Sequence, residues 1–163
     1  MSRLVATCFG VGLLRPAPGT WGSAVAVLLG LVIFRYGSFP ALALATVLAT
    51  VAGFWACQRE LAERPGADPQ EFVIDEVAGQ WLALLFPAFA FWWRGFDGWM
   101  PSPGWLAAFV LFRLLDIWKP GPVGWADRRH DPAGVMLDDL IAGVFAGIGV
   151  LVAAGVAHGI MQG

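Results

Sequence analysis

Asp75-Glu76-Val77-Ala78-Gly79-Gln80-Trp81-Leu82-Ala83-Leu84-Leu85-Phe86-Pro87-Ala88-Phe89-Ala90-Phe91-Trp92-Trp93 is the stretch on which the fold turns. From position 77 to 93 it carries no charged residue, and a segment of this length is enough for a helix to cross the hydrocarbon of a bilayer. Two adjacent carboxylates stand directly at its mouth. Ionisable groups beside hydrocarbon are costly, so their presence there is a functional signal by default.

Working outward, comparable apolar runs occur at 21–34, 39–57, 99–115 and 140–157. The runs at 39–57, 77–93 and 140–157 have spanning length. The first is short unless it begins within 18–21 and ends past Tyr36, and the fourth is short and carries Arg113 near its end. The sequence predicts an all-α, polytopic membrane helical bundle with about five spans, folded as one domain over 1–163. Four spans plus a re-entrant segment is the alternative.

Composition points the same way. Hydrophobic residues make up 58% and charged residues 13%, with a mean hydropathy of +0.69, outside the range of ordinary soluble domains. Nine tryptophans suit aromatic belts at two membrane interfaces. A net charge of −2 argues against a nucleic-acid partner. Cys8 and Cys57 have neither disulfide-framework nor zinc-site spacing. The opening stretch is not read as a cleaved signal peptide, because its apolar part is brief and Pro16 and Pro18 follow.

Lysine and arginine set the orientation. With five spans, Arg3, Arg15, Arg59, Arg64, Arg113, Lys119, Arg128 and Arg129 fall on one side, and only Arg35 and Arg94 on the other. The positive-inside rule places the first group in the cytoplasm, with the N-terminus inside and the C-terminus outside. Every acid except Asp97 falls on that same side. The polar stretch 58–74 reads as a solvated connection between two spans. Small residues at helical spacing, Gly22-Ala26-Gly30 and Gly143-Gly147, suit close helix packing in lipid.

Asp138-Asp139 opens the last run as Asp75-Glu76 opens the third. Helix capping would explain one acid at each place, but two exceed that need. Two helix starts that each offer two carboxylates can assemble an oxygen cage for magnesium, which takes carboxylates, waters and phosphate oxygens together. Asp75, Glu76, Asp138 and Asp139 are the candidate metal ligands. Phe112-Arg113-Leu114-Leu115-Asp116-Ile117-Trp118-Lys119-Pro120 ends the fourth run. Arg113 and Lys119 there are either membrane anchors or phosphate contacts, and Asp116 is a salt-bridge partner, a further ligand or a base. Leu14-Arg15-Pro16-Ala17-Pro18-Gly19-Thr20-Trp21-Gly22-Ser23 is either a rigid, capped connector or a phosphate cradle at a helix N-terminus. Arg128-Arg129-His130-Asp131 reads as an anchor for anionic headgroups, with no partner that would fix His130 as an acid–base group.

Several phosphatase chemistries are excluded. Cys8 lies seven residues from Arg15, not at the spacing of cysteine-based phosphatases. There is no Asp-x-Asp-x-Thr run and no twin-histidine pattern. Phosphoryl chemistry here would rest on metal and water.

Four segments resemble the phosphatidylglycerophosphatase A family: Ala17-Pro18-Gly19-Thr20-Trp21-Gly22-Ser23, Asp75-Glu76-Val77-Ala78-Gly79-Gln80, Phe112 to Pro120, and Gly134-Val135-Met136-Leu137-Asp138-Asp139-Leu140-Ile141-Ala142-Gly143. They occur in the family's order. The resemblance implies a magnesium-dependent enzyme of the bacterial inner membrane that hydrolyses phosphatidylglycerophosphate to phosphatidylglycerol. The family's characteristic polar positions fall on Thr20, Asp75, Glu76, Arg113, Asp116, Lys119, Asp138 and Asp139. On that basis Asp75, Glu76, Asp116 and Asp139 are the expected catalytic residues, and Thr20, Arg113 and Lys119 the expected phosphate contacts. Arg15-Pro16 and 129–132 depart from the family pattern. The rival from another class is a cation-coupled transporter or channel that uses the same carboxylates.

Overall fold

The computed structural model describes residues 1–64, 69–129 and 131–162. All regular structure among them is helical: α1 (Ser2–Ala6), α2 (Pro18–Glu63), α3 (Ile74–Trp93), α4 (Ser102–Trp118), α5 (Pro122–Asp127) and α6 (Pro132–Gln162), with two short 3₁₀ turns at Val11–Leu13 and Pro69–Glu71.

Helix α2 is not a single rod. Ser38 leaves helical geometry at φ 61°, ψ −169°, and the chain doubles back there. Before Ser38, Gly22 lies against Val73, the Ala26 carbonyl accepts a hydrogen bond from Trp81 Nε1 at 2.7 Å, and Gly30 lies against Leu84. The first half therefore climbs α3 in the same direction. After Ser38 the order reverses: Phe39 stacks on Trp92 and meets Phe89 edge-on, while Gly53 sits against Ile74. Pro40 falls in the first turn of the returning half, where its missing N–H leaves no helical bond unmade. The turn is tight enough that a Cβ on Gly37 would collide with the Cβ of Ala41.

Among the described residues, three helices are long and apolar enough to cross a membrane: Pro18–Glu63, Ile74–Trp93 and Pro132–Ile160. This differs from the expected count of about five spans. The first two apolar runs are joined in α2 with no polar loop between them, and α4, at 17 residues, is short. Boundaries also shift. The last helix begins at Pro132 rather than at the apolar run that starts at position 140.

Outward faces carry exposed Leu28, Leu44, Val47, Leu48, Val51 and Val152, as expected of helices solvated by lipid. The interior is built from Leu42, Leu84, Phe112, Ala108 and Ala142 at one level, and from Cys57, Phe72, Ile74 and Met136 nearer α1. Helices α3 and α6 cross almost backbone to backbone. A Cβ on Gly79 would lie 2.5 Å from the Asp139 carbonyl oxygen, and one on Gly143 would strike the Gly79 carbonyl. Small residues permit this approach, and it brings the two acidic pairs together.

Candidate active site

The acidic pairs are not helix caps. Val73 is the N-cap of α3 and makes no side-chain cap bond. Asp75 Oδ1 instead accepts from the N–H of Glu76 at 3.0 Å. For α6 the capping position belongs to Asp131, whose Oδ1 accepts from the Gly134 N–H at 2.6 Å, the N3 bond of an ordinary N-cap. Asp138 and Asp139 are the seventh and eighth residues of that helix, well inside it. This corrects the expectation that they open it. Asp138 Oδ1 accepts from the Asp139 N–H at 3.0 Å, repeating the local geometry of Asp75 and Glu76.

The α3–α6 crossing and the end of α4 gather these groups around one cavity of about 480 Å³. Its polar lining comprises Asp75, Glu76, Asp116, Asp138 and Asp139, with Lys119 and Asp127 at the side and Gln70 among the remaining wall. Asp75, Asp138 and Asp139 are 8%, 6% and 3% exposed. Asp75, Glu76 and Asp139 each offer an oxygen within 4.8 Å of one another, and so do Asp116, Asp138 and Asp139.

Two cations attend the cavity. Arg113 Nη1 donates to Asp116 Oδ2 at 2.7 Å, one turn away on α4, and reaches Ser23 Oγ at 3.4 Å. Lys119, the left-handed C-cap of α4 at φ 47°, donates to Asp138 Oδ2 at 2.9 Å and also to Asp127. Burial pulls the Lys119 pKa down, but the hydrogen bonds to Asp127 and Asp138 more than reverse this, so it lies above the ordinary lysine value. Lys119 is therefore an ammonium throughout the physiological range.

The donor set fits a hard divalent cation. Carboxylates only accept when ionised, and Asp139 Oδ1 and Glu76 Oε2 are buried without a hydrogen-bond partner. No ion pair reaches Asp75, Glu76 or Asp139 among the described residues. Buried acids left in that state are costly, and oxygen-only coordination is what magnesium takes.

The other expected residues divide. Thr20 is exposed in the first turn of α2 and does not line the cavity. In that turn Gly19, rather than Thr20, faces Glu76. His130 lies outside the described residues. Three participants were missed in the sequence: Ser23, fully buried beside Arg113; Asp127, which shares Lys119; and Asp131, the true cap. Spacing on one element could not reveal the first two, because each partner comes from a different helix. Asp131 was visible as an Asp just before Pro132, a usual N-cap and N1 pair.

The family model for Phosphatidylglycerophosphatase A matches residues 4–154. The chain is 34% identical to Phosphatidylglycerophosphatase A of Haemophilus influenzae over 148 residues, covering 88% of this chain and 83% of the relative. It is 33% identical to Phosphatidylglycerophosphatase A of Escherichia coli, covering 88% of this chain and 78% of that one. It is also 37% identical to a Putative phosphatidylinositol-3-phosphatase of Bacteroides thetaiotaomicron, covering 92% and 91%. No solved structure matches the chain at a significant level. With a family match over nearly its whole length and relatives that carry the same description, the chain belongs to the phosphatidylglycerophosphatase A family.

Proposed function

We propose that this protein hydrolyses phosphatidylglycerophosphate to phosphatidylglycerol and phosphate at the cytoplasmic face of a bacterial inner membrane, with magnesium as cofactor. The observation that carries the reading is the convergence of both acidic pairs on one cavity beside Lys119. Five spans, with the hairpin in α2 counted as two and the shorter α4 added to α3 and α6, put the cavity and the N-terminus inside and the C-terminus outside.

Asp75, Glu76, Asp138 and Asp139 hold the cation, and Asp116 joins them from a third helix. When bound, the cation offsets carboxylate charge, polarises a phosphate oxygen and acidifies a water. Lys119 meets the phosphate as a point charge, and Arg113 supports it from behind Asp116. Water attacks phosphorus, the ester bond to the headgroup glycerol breaks, and the displaced alkoxide leaves with a proton. The acyl chains remain among the apolar helix faces, so only the phosphorylated headgroup enters the cavity. A transporter would need carboxylates along a path through the bundle, whereas these gather at one end.

The relative described as a phosphatidylinositol-3-phosphatase would act on another lipid phosphomonoester, so substrate choice is the test. Purified protein in detergent should release phosphate from phosphatidylglycerophosphate far faster than from phosphatidylinositol 3-phosphate or glycerol 3-phosphate. A preference for the inositol lipid would replace the proposed substrate.

A further inference from the structure

The carboxylates of the cavity form two groups of three that share one member. Asp75, Glu76 and Asp139 make the first, and Asp116, Asp138 and Asp139 the second. We infer that the cavity holds two divalent cations, one in each group, with Asp139 bridging them. This rests on the metal-dependent reading above. It goes beyond that reading in the number of ions, and it gives Asp116 and Asp138 a cation of their own.

The shared residue, like Glu76 in the first group, has a buried carboxylate oxygen without a partner. Asp139 is 3% exposed, and its Oδ1 is buried with no hydrogen bond. An acceptor-only oxygen in that position is stable when a cation takes it. Charge points the same way. The five carboxylates carry −5 when ionised, and Arg113 and Lys119, bonded to two of them, carry +2. The sum, −5 + 2, is −3. One divalent cation leaves the cavity at −1, which repels a phosphate dianion, whereas two bring it to +1, which attracts one. Counting Asp127, which also lines the cavity and shares Lys119, makes the sum −4; one cation then leaves −2, and two bring it to zero, so the second cation still removes the repulsion.

The two groups are not equivalent. Asp116 and Asp138 already have Arg113 and Lys119 as partners, while the first group has no ion pair among the described residues. The first group therefore fills first. The second fills more weakly, because its cation competes with Arg113 and Lys119.

The experiment titrates manganese, which accepts the same oxygen ligands, into the intact protein in detergent, freed of metal beforehand. Bound manganese per chain is measured together with the electron paramagnetic resonance spectrum. Ions bridged by a carboxylate lie about 3.5–4 Å apart and couple magnetically. The expected result is two manganese ions per chain, bound in two unequal steps, with the six-line spectrum of the first collapsing into a coupled signal at the second. Asp116→Asn should abolish the second step and keep the six-line spectrum, and Glu76→Gln should weaken the first step. A single uncoupled ion in the unaltered protein would overturn the two-cation inference and leave the metal-dependent reading standing. Two ions that never couple would overturn the bridge, and no bound manganese would overturn both readings. The unaltered protein decides the matter even where a variant fails to fold.

Discussion

Asp131 and Asp138 stand seven residues apart on the same side of the molecule and do opposite work. Asp131 satisfies the first turn of α6 and pairs with Arg129 at 2.9 Å. Asp138 is too far inside α6 to cap anything and faces Lys119 instead. Removing the cap should therefore weaken the fold and spare the chemistry. Asp131→Ala is expected to lower the melting temperature in detergent by roughly 2–4 °C and to leave turnover per folded molecule near that of the unaltered protein. A thermal-shift scan run beside a phosphate-release assay checks both. The acids of the site were legible as residue types, since paired carboxylates at apolar runs exceed what capping requires. Which acid caps was not legible from the apolar run alone. That run starts at position 140, while the helix starts at Pro132, because its first two turns are held by Asp131 and by packing on α5 rather than by lipid.

Two crossings decide where these residues meet. One is the turn at Ser38, and the other is the contact of Gly79 with Gly143. Gly37 and Pro40 mark the first in the sequence as a break between runs. They do not show that the break is a full reversal, because that depends on both halves packing against α3. The second was legible only in part. Gly143 belonged to a small-residue stripe, but its partner Gly79 lay in another motif. A methyl group there has little room. In Gly79→Ala the new Cβ would sit 2.5 Å from the Asp139 carbonyl and 2.7 Å from Phe112, so the helices must part. Overpacking of this kind costs about 1–3 kcal/mol. We expect turnover to fall more than stability, because parting the helices separates Asp75 and Glu76 from Asp138 and Asp139. Gly155→Ala, on the same helix as Gly143 with nothing within 4 Å, is the matched control. It should be neutral or stabilise by up to about 1 kcal/mol. Equal turnover in the two variants would show that the close crossing does not position the site.

For the whole molecule, the distribution of charge is what the proposed orientation rests on. Arg35 and Asp97 form a 3.1 Å pair at the end where α2 turns, while the cavity, Lys119 and the Arg129–Asp131 pair lie at the other. A reporter fused after Gly163 should read as periplasmic, and one fused before Ser2 as cytoplasmic. A cytoplasmic signal at both ends would mean an even number of crossings. The membrane class was legible from composition, and one-sidedness from the lysines and arginines. The closure of the site was not, because α3, α4 and α6 contribute to it from positions 75 to 139 and no local pattern encodes their meeting.

The central claim is that Asp75, Glu76, Asp138 and Asp139 act as one metal-dependent unit. Neither residue caps a helix, and asparagine has nearly the shape of aspartate, so Asp75→Asn and Asp139→Asn keep the shape and remove only the charge that a cation needs. Phosphate release from phosphatidylglycerophosphate is measured for each variant and for the double variant, normalised to folded protein, with magnesium and with excess chelator. We predict that each single change lowers turnover by about a hundredfold or more. The double variant should be little worse than either, because both disable the same unit, and chelator should silence the unaltered protein. Near-normal turnover in both single variants, or full turnover in chelator, would contradict the account.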